Sequence, residues 1–265
     1  MDSSGIYFGG SGGINLEENL IPYYYTPMEE RVKGKNIIVT GATSGIGKSL
    51  TLKLLDFGAN VAFCGRSEDK MAQLLKEING KANPYFYKVF DISMEQDIVR
   101  FVEQAAERLG EPDILVNCAG LNSAKDLVSD IKTSDLEWML TINLVAPFIF
   151  MREVFKNMAP AKPGVFINVL STVCNFSNEG IGAYTASKAG YDALCKVFRK
   201  EVRAYGKRVC SIYPGGVDSP FREASRPDYL KPEIVADTII HMMPCDWNSS
   251  VDELTIRPMV EKNYI

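Results

Sequence analysis

The spacing of apolar residues changes repeatedly along the chain. Asn36–Thr40 is a short, β-branched apolar run, and Asn60–Cys64, Pro84–Phe90, Asp113–Cys118, Val165–Leu170 and Val209–Tyr213 repeat the signature. Runs so short and so apolar predict strands buried on both faces. Between them the period lengthens to that of a helix. Ile46, Leu50, Leu54 and Phe57 share one side of 46–57, and Ile98, Phe101, Val102 and Ala105 share one side of 94–109. The pattern predicts further helices over 68–78, 134–159, 183–205 and 232–243, and a last strand near 252–257. Strands alternating with helices imply an α/β fold. The expectation is a single doubly wound parallel sheet of six to seven strands, joined by right-handed crossovers and covered by helices on both faces. It occupies residues 34–265.

Residues 1–33 do not fit this alternation. Gly9-Gly10-Ser11-Gly12-Gly13 and Pro22-Tyr23-Tyr24-Tyr25-Thr26-Pro27 read as a loop-like N-terminal extension rich in glycine and tyrosine. Its Leu20–Tyr25 segment has side chains to bury. The extension is either a free leader or an arm docked on its own or a neighbouring subunit.

Composition narrows the function classes. With 265 residues, 46% of them hydrophobic, the chain can bury a large core. A net charge of −4 argues against a nucleic-acid partner. The N-terminus Met1-Asp2-Ser3-Ser4 has no secretory character, and no apolar run reaches the roughly 18 residues of a membrane span. No membrane partner is expected. The six cysteines show no CxxC spacing, which fits reduced thiols and a cytoplasmic location. The only histidine, His241, cannot build a His-rich site, so no metal is expected.

Candidate chemistry begins after the first strand. Thr40-Gly41-Ala42-Thr43-Ser44-Gly45-Ile46-Gly47 lies between a strand and a helix, with glycines spaced GxxxGxG. Glycine permits a sharp turn, and backbone N–H groups with a helix N-terminus can cradle a pyrophosphate. The second strand ends in Cys64-Gly65-Arg66-Ser67, where NAD sites commonly carry a carboxylate for the ribose. An arginine and a hydroxyl in its place predict a 2′-phosphate, hence NADP(H). Farther on, Tyr184 and Lys188 stand at i, i+4 at the start of a long helix. A lysine ammonium and the nicotinamide charge beside a phenol are expected to lower its pKa and make it a general acid/base. Ser171 precedes Tyr184 by 13 residues, at the end of a strand. Asn117-Cys118-Ala119-Gly120 ends another strand, Asn143 sits in mid-helix, and Pro214-Gly215-Gly216-Val217-Asp218-Ser219 follows the sixth strand.

With these motifs in this order, the chain resembles the short-chain dehydrogenase/reductase family from about Gly34 onward. The resemblance implies a Rossmann-type domain and a tetrad of Asn143, Ser171, Tyr184 and Lys188. Tyr184 would protonate the carbonyl oxygen, and Ser171 would orient it. Lys188 would hold the nicotinamide ribose and tune Tyr184, and Asn143 would place a water that relays protons to Lys188. Cofactor contacts would come from Gly41, Thr43, Ser44, Gly45, Ile46, Gly47, Arg66, Ser67, Asp91, Ile92, Asn117, Ala119, Gly120, Tyr184, Lys188, Pro214, Gly215, Val217 and Ser219. Asp91 matches the position whose carboxylate touches adenine, and Val217 and Ser219 match those that fix the carboxamide. The chain departs from the family's usual pattern at Cys118 (usually Asn), Leu170 (usually Ser) and Ser219 (usually Thr).

The substrate is a carbonyl or secondary alcohol of small to medium size. The lid Pro220–Tyr229 is short, and the expected wall of Leu121, Asn122, Val173, Cys174, Phe176, Gly216 and Phe221 is mostly apolar, with no evident fixed arginine. Hydroxysteroid, sugar-alcohol and 3-oxoacyl substrates remain alternatives on the same chemistry. A nicotinamide-dinucleotide-sensing regulator on the same fold is the non-enzymatic alternative, and the intact tetrad argues against it. The basic residues Lys196, Arg199, Lys200, Arg203, Lys207 and Arg208 read as a solvated face away from the cofactor. Similarity to the family also implies a homodimer or homotetramer. The apolar face Leu144, Phe148, Met151, Phe155 fits either core or interface.

Overall fold

All seven strands run parallel, in the order β3-β2-β1-β4-β5-β6-β7. The computed structural model describes residues 27–222, 224–243 and 249–262. In chain order the elements are α1 (Met28–Val32), β1 (Asn36–Val39), α2 (Gly45–Asp56), β2 (Asn60–Gly65), α3 (Glu68–Ile78), β3 (Tyr85–Val89), α4 (Glu95–Leu109), β4 (Ile114–Asn117), α5 (Thr133–Leu140), α6 (Ala146–Asn157), β5 (Gly164–Val169), α7 (Gly182–Val202), β6 (Lys207–Pro214), α8 (Pro232–Met242) and β7 (Glu253–Ile256). The predicted strands form, as do the predicted helices apart from the one expected over 134–159, which is divided. Strand order reverses between β1 and β4, whose register pairs Val39 with Val116. A crevice opens at the carboxyl ends of strands at such a reversal, and in α/β sheets that is where ligands bind.

Alternation within the strands explains the two core layers. Ile37, Val39, Val61 and Phe63 face one side with Leu50, Leu54, Met71, Leu74 and Ile239. Ile38, Ala62 and Cys64 face the other with Phe101, Phe150, Tyr191 and Val202. Each fully buried Leu, Ile or Phe contributes on the order of 1.5–3 kcal/mol. The apolar stripes of the helices therefore hold the strand ends in fixed register.

Four local features differ from the sequence reading. First, Met28–Val32, placed in the loop-like extension, is a helix. Val32 is wholly buried in the core, and Arg31 donates to His241 O (3.0 Å) and Met243 O (2.8 Å) at the end of α8. The glycine-rich stretch and Leu20–Tyr25 lie outside the described residues, as does Cys245. Second, the single helix expected over 134–159 is interrupted by a π-turn at Thr141–Val145. Third, the run Thr133–Asn157 is apolar and long enough by composition to cross a bilayer, against the expectation of no such run, yet 56% of its most apolar window is buried inside the protein. Fourth, only part of the basic group is a solvated face: Lys196, Lys200 and Arg203 are exposed as expected, whereas Arg199 and Arg208 are half-buried. Arg199 donates to Val209 O (2.7 Å), Asp252 O (2.9 Å) and Glu253 Oε1 (3.0 Å), which fastens β7 to β6. Lys207 is buried and donates to Ala159 O at 2.6 Å, and Lys196 pairs with Asp192 at 2.7 Å.

Candidate active site

The glycine turn is shaped by close approach. Gly41 has φ +69°, and a Cβ there would stand 2.8 Å from Ala119 Cα. A Cβ on Gly47 would stand 2.3 Å from Gly41 O, so only glycine lets α2 sit down on the turn. Thr40 Oγ1 accepts the N–H groups of Cys118 and Ala119 at 3.0 Å each, tying the β1 and β4 loops together. Thr43 packs against Gly65, where a Cβ would be 2.5 Å from its methyl. The N-terminus of α2 carries no acidic residue in its first turn, and Ser44 makes no capping bond. By contrast Ser67 caps α3 by accepting Lys70 N–H at 3.3 Å, with Glu68 and Asp69 behind it. The positive end of α2 is thus left for an anion. Across the crevice, Ser219 reaches Gly45, 3.3 Å from where a Cβ would lie.

Arg66 lies exposed just past β2, and among the described residues no hydrogen bond or ion pair holds it. Ser67 accepts one bond as a cap, and its own O–H proton remains available. Asp91 Oδ1 accepts Ser93 N–H at 2.9 Å, which fixes the carboxylate in a turn next to the partly buried Ile92. Asn117 behaves otherwise. Its side chain turns into the core, donating to Tyr191 Oη (2.9 Å) and Pro147 O (3.2 Å). Only its backbone reaches the loop that leads to Ala119 and Gly120.

The four tetrad side chains converge at the same edge of the sheet. Lys188 is buried and donates from Nζ to Val169 O at 3.0 Å. A Cβ on Gly120 would stand 3.1 Å from Asn143 Oδ1 and 3.3 Å from Lys188 Nζ, so glycine lets the two meet there. Asn143 is fully buried in the π-turn. Its Oδ1 accepts Leu121 N–H (2.9 Å), and its Nδ2 donates to Leu121 O (2.8 Å) and to Ser187 Oγ (3.0 Å). Ser187 in turn donates to Tyr184 O at 2.8 Å. Asn143 thereby clamps the loop after β4 to α7, and the π-turn gives its side chain the reach. Ser171 follows β5 and accepts Val173 N–H at 3.3 Å.

Burial dominates the electrostatics of the site. It pushes the Tyr184 phenol up to about 12, and a hydrogen bond from Ser171 and the charge of Arg222 only partly oppose it. Burial also lowers Lys188. The phenol is therefore protonated at neutral pH. The lid adds aromatic and cationic contacts. Arg222 is held over the Tyr229 ring at 4.8 Å, and Phe221 lies 6.0 Å from the Tyr184 ring. Arg257 lies over Phe176 at 4.5 Å. Two arginines are therefore held against aromatic rings, one on the lid and one on the segment after Ser171.

Residues 35–230 match the family model for short chain dehydrogenases. The chain is 31% identical over 235 residues to an uncharacterized oxidoreductase of Staphylococcus saprophyticus, covering 86% of this chain and 99% of that one. It is 33% identical over 217 residues to a 3-oxoacyl-[acyl-carrier-protein] reductase of Thermotoga maritima, covering 81% and 84% respectively. An alcohol dehydrogenase from Thermococcus sibiricus, solved with 5-hydroxy-NADP, superposes with a TM-score of 0.78 at 24% identity, covering 85% of this chain and 97% of that one. The protein belongs to the short-chain dehydrogenase/reductase family, oxidoreductases that bind a nicotinamide dinucleotide.

Proposed function

We propose that the protein transfers a hydride between NADP(H) and a small-to-medium carbonyl or secondary alcohol, with Tyr184 as general acid/base. The observation that carries this reading is the meeting of Ser171, Tyr184 and Lys188, beside Asn143, with the uncapped glycine turn at the strand-order reversal. The residues fit the cofactor. The N–H groups of 45–47 suit a pyrophosphate, and Gly41 and Gly47 leave the space a Cβ would fill. Residues 64–67 carry Arg66 and Ser67 and no carboxylate, which suits a 2′-phosphate, and Val217 and Ser219 line the opposite wall. When bound, the dinucleotide supplies or accepts the hydride.

The chain's own residues handle the proton. A carbonyl oxygen set against the Ser171 and Tyr184 hydroxyls is oriented by the first and protonated by the second. The alkoxide that develops is more basic than even a raised phenol, so the proton moves toward it. Lys188, pinned to Val169 O, keeps its ammonium at a fixed place near the reacting groups. Relay of protons through a water at Asn143 completes the proposal, as do a cytoplasmic location and a homodimer or homotetramer. Exposed Val145, Phe148, Leu194 and Val197 offer apolar surface for such an assembly, whereas Met151 belongs to the core.

The test follows NADPH oxidation with a reactive diketone. Wild type turns over, and Tyr184→Phe loses about 100-fold or more. Equal rates overturn the enzymatic reading and leave a dinucleotide-binding regulator. Arg66→Ala raises the KM for NADPH about tenfold and leaves that for NADH nearly unchanged. A substrate panel with no turnover below steroid size overturns the small-substrate reading.

A further inference from the structure

The loop after β6 forms one wall of the crevice, and the C-terminal segment lies against it. Glu261 Oε1 accepts the Gly216 N–H at 2.6 Å. A Cβ on Gly215 would stand 2.2 Å from Glu261 Oε2, and one on Gly216 would stand 3.0 Å from Oε1. The two consecutive glycines make room for a carboxylate. A Cβ on Gly216 would also stand 2.3 Å from the Tyr229 ring, so this peptide is held between carboxylate and ring.

The hold extends into the lid. Leu230 N–H donates to Gly216 O at 3.0 Å, and Asp218 N–H donates to Leu230 O at 2.9 Å. The Asp218 carboxylate gathers Arg226 N–H (2.8 Å) and Lys231 Nζ (2.9 Å). Phe221, on this same lid, faces Tyr184. On the far side of Glu261, Arg257 Nη1 stands 3.9 Å from Oε2, both side chains nearly buried. The Arg257 guanidinium covers Phe176, on the segment between Ser171 and Tyr184. One short C-terminal stretch therefore touches both segments that frame the substrate. The family match ends at residue 230, so Glu261 and Arg257 lie beyond it, whereas Gly216 and Phe176 lie within it.

We propose that Glu261 is a positioning residue, whose carboxylate latches the Gly215–Val217 loop to the C-terminal segment and so sets the nicotinamide wall and the lid over Tyr184. The inference rests on the dinucleotide-binding reading of the crevice. The Glu261 oxygen satisfies the Gly216 N–H and adds to the backbone bonds that tie Gly215 to Ile256 and tie Gly216 and Asp218 to Leu230.

Amide hydrogen exchange over 215–230 and NADPH titration test the latch, on wild type, Glu261→Ala, Glu261→Gln and Glu261→Asp. Glutamine still offers an oxygen to Gly216 N–H, whereas aspartate keeps the charge but withdraws it by one methylene. Alanine and aspartate are expected to speed exchange in 215–230 and to weaken NADPH about tenfold, with glutamine close to wild type and exchange elsewhere unchanged. If alanine does not fold, aspartate carries the test. Wild-type exchange and affinity in the aspartate variant overturn the latch. Faster exchange with unchanged affinity and unchanged KM and kcat overturns the positioning role, and glutamine failing as badly as alanine overturns the assignment to the Gly216 bond. A wild type that binds no dinucleotide defeats the functional reading and the positioning role with it, and the exchange arm still reports separately on the contact itself.

Discussion

Tyr184 shows how burial sets a proton's direction. A phenol pushed up to about 12 is held protonated, which suits donation to a carbonyl. Reduction should therefore be level through neutral pH and fall only as pH climbs toward that value, while alcohol oxidation, which needs the phenolate, should rise over the same range. Ser171 pulls the phenol down, so Ser171→Ala should move the alkaline limb of the reduction profile to higher pH as well as lower kcat. Paired pH–rate profiles of wild type and variant check both, and an unmoved limb would show that the limb belongs to another group. The i, i+4 pairing of Tyr184 with Lys188 was legible because helix geometry is local. Their burial was not, because it comes from residues such as Gly120 and Val169 that lie distant in the chain.

At the scale of elements, α2 and its turn behave as one unit. Gly47 lets the first turn of α2 rest on Gly41 O, and Gly41 lets the turn rest on Ala119. Gly47→Ala should force the two apart, costing about 1–3 kcal/mol as overpacking does, and should lose dinucleotide affinity along with it. Chemical denaturation and NADPH titration of the same variant measure the two effects. The glycine spacing was readable from sequence, as was the strand–turn–helix context. The π-turn at Asn143 was not. A π-turn depends on what its side chain finds across the gap, here both backbone groups of Leu121 and the Ser187 hydroxyl.

At the scale of the whole molecule, three of the five described cysteines, Cys64, Cys195 and Cys210, lie in the core. Burial raises Cys64 and Cys195 from 9.0 to about 12 and Cys210 to about 11. A thiol raised on folding leaves stability intact below its unfolded value. It subtracts stability as pH rises above 9, because the unfolded chain then releases a proton that the native chain retains. Each raised thiol steepens the loss of stability in that window, and the three act in the same direction. The Tm should be nearly flat from pH 7 to 8.5 and fall steeply above 9. Cys64→Ala should make that fall shallower, and a Tm still flat at pH 10.5 would contradict the burial of these thiols.

The family resemblance offered Ser171 and Asn143 as site candidates, while the sequence by itself determined the parallel α/β layers, the spacing of the glycine turn and the i, i+4 pairing of Tyr184 with Lys188. These rest on periodicities and spacings of a few residues, which side-chain geometry enforces locally. Only the tertiary structure decided that Asn117 turns inward, that Arg199 fastens β7, that Met28–Val32 packs as a helix and that Glu261 lies on Gly216. The Gly215-Gly216 pair leaves room for a close neighbour, but the partner of Gly216 is forty-five positions away. Contacts of that kind arise when packed helices and strands carry remote segments to the same sheet edge, and no pattern along the chain encodes which ones meet.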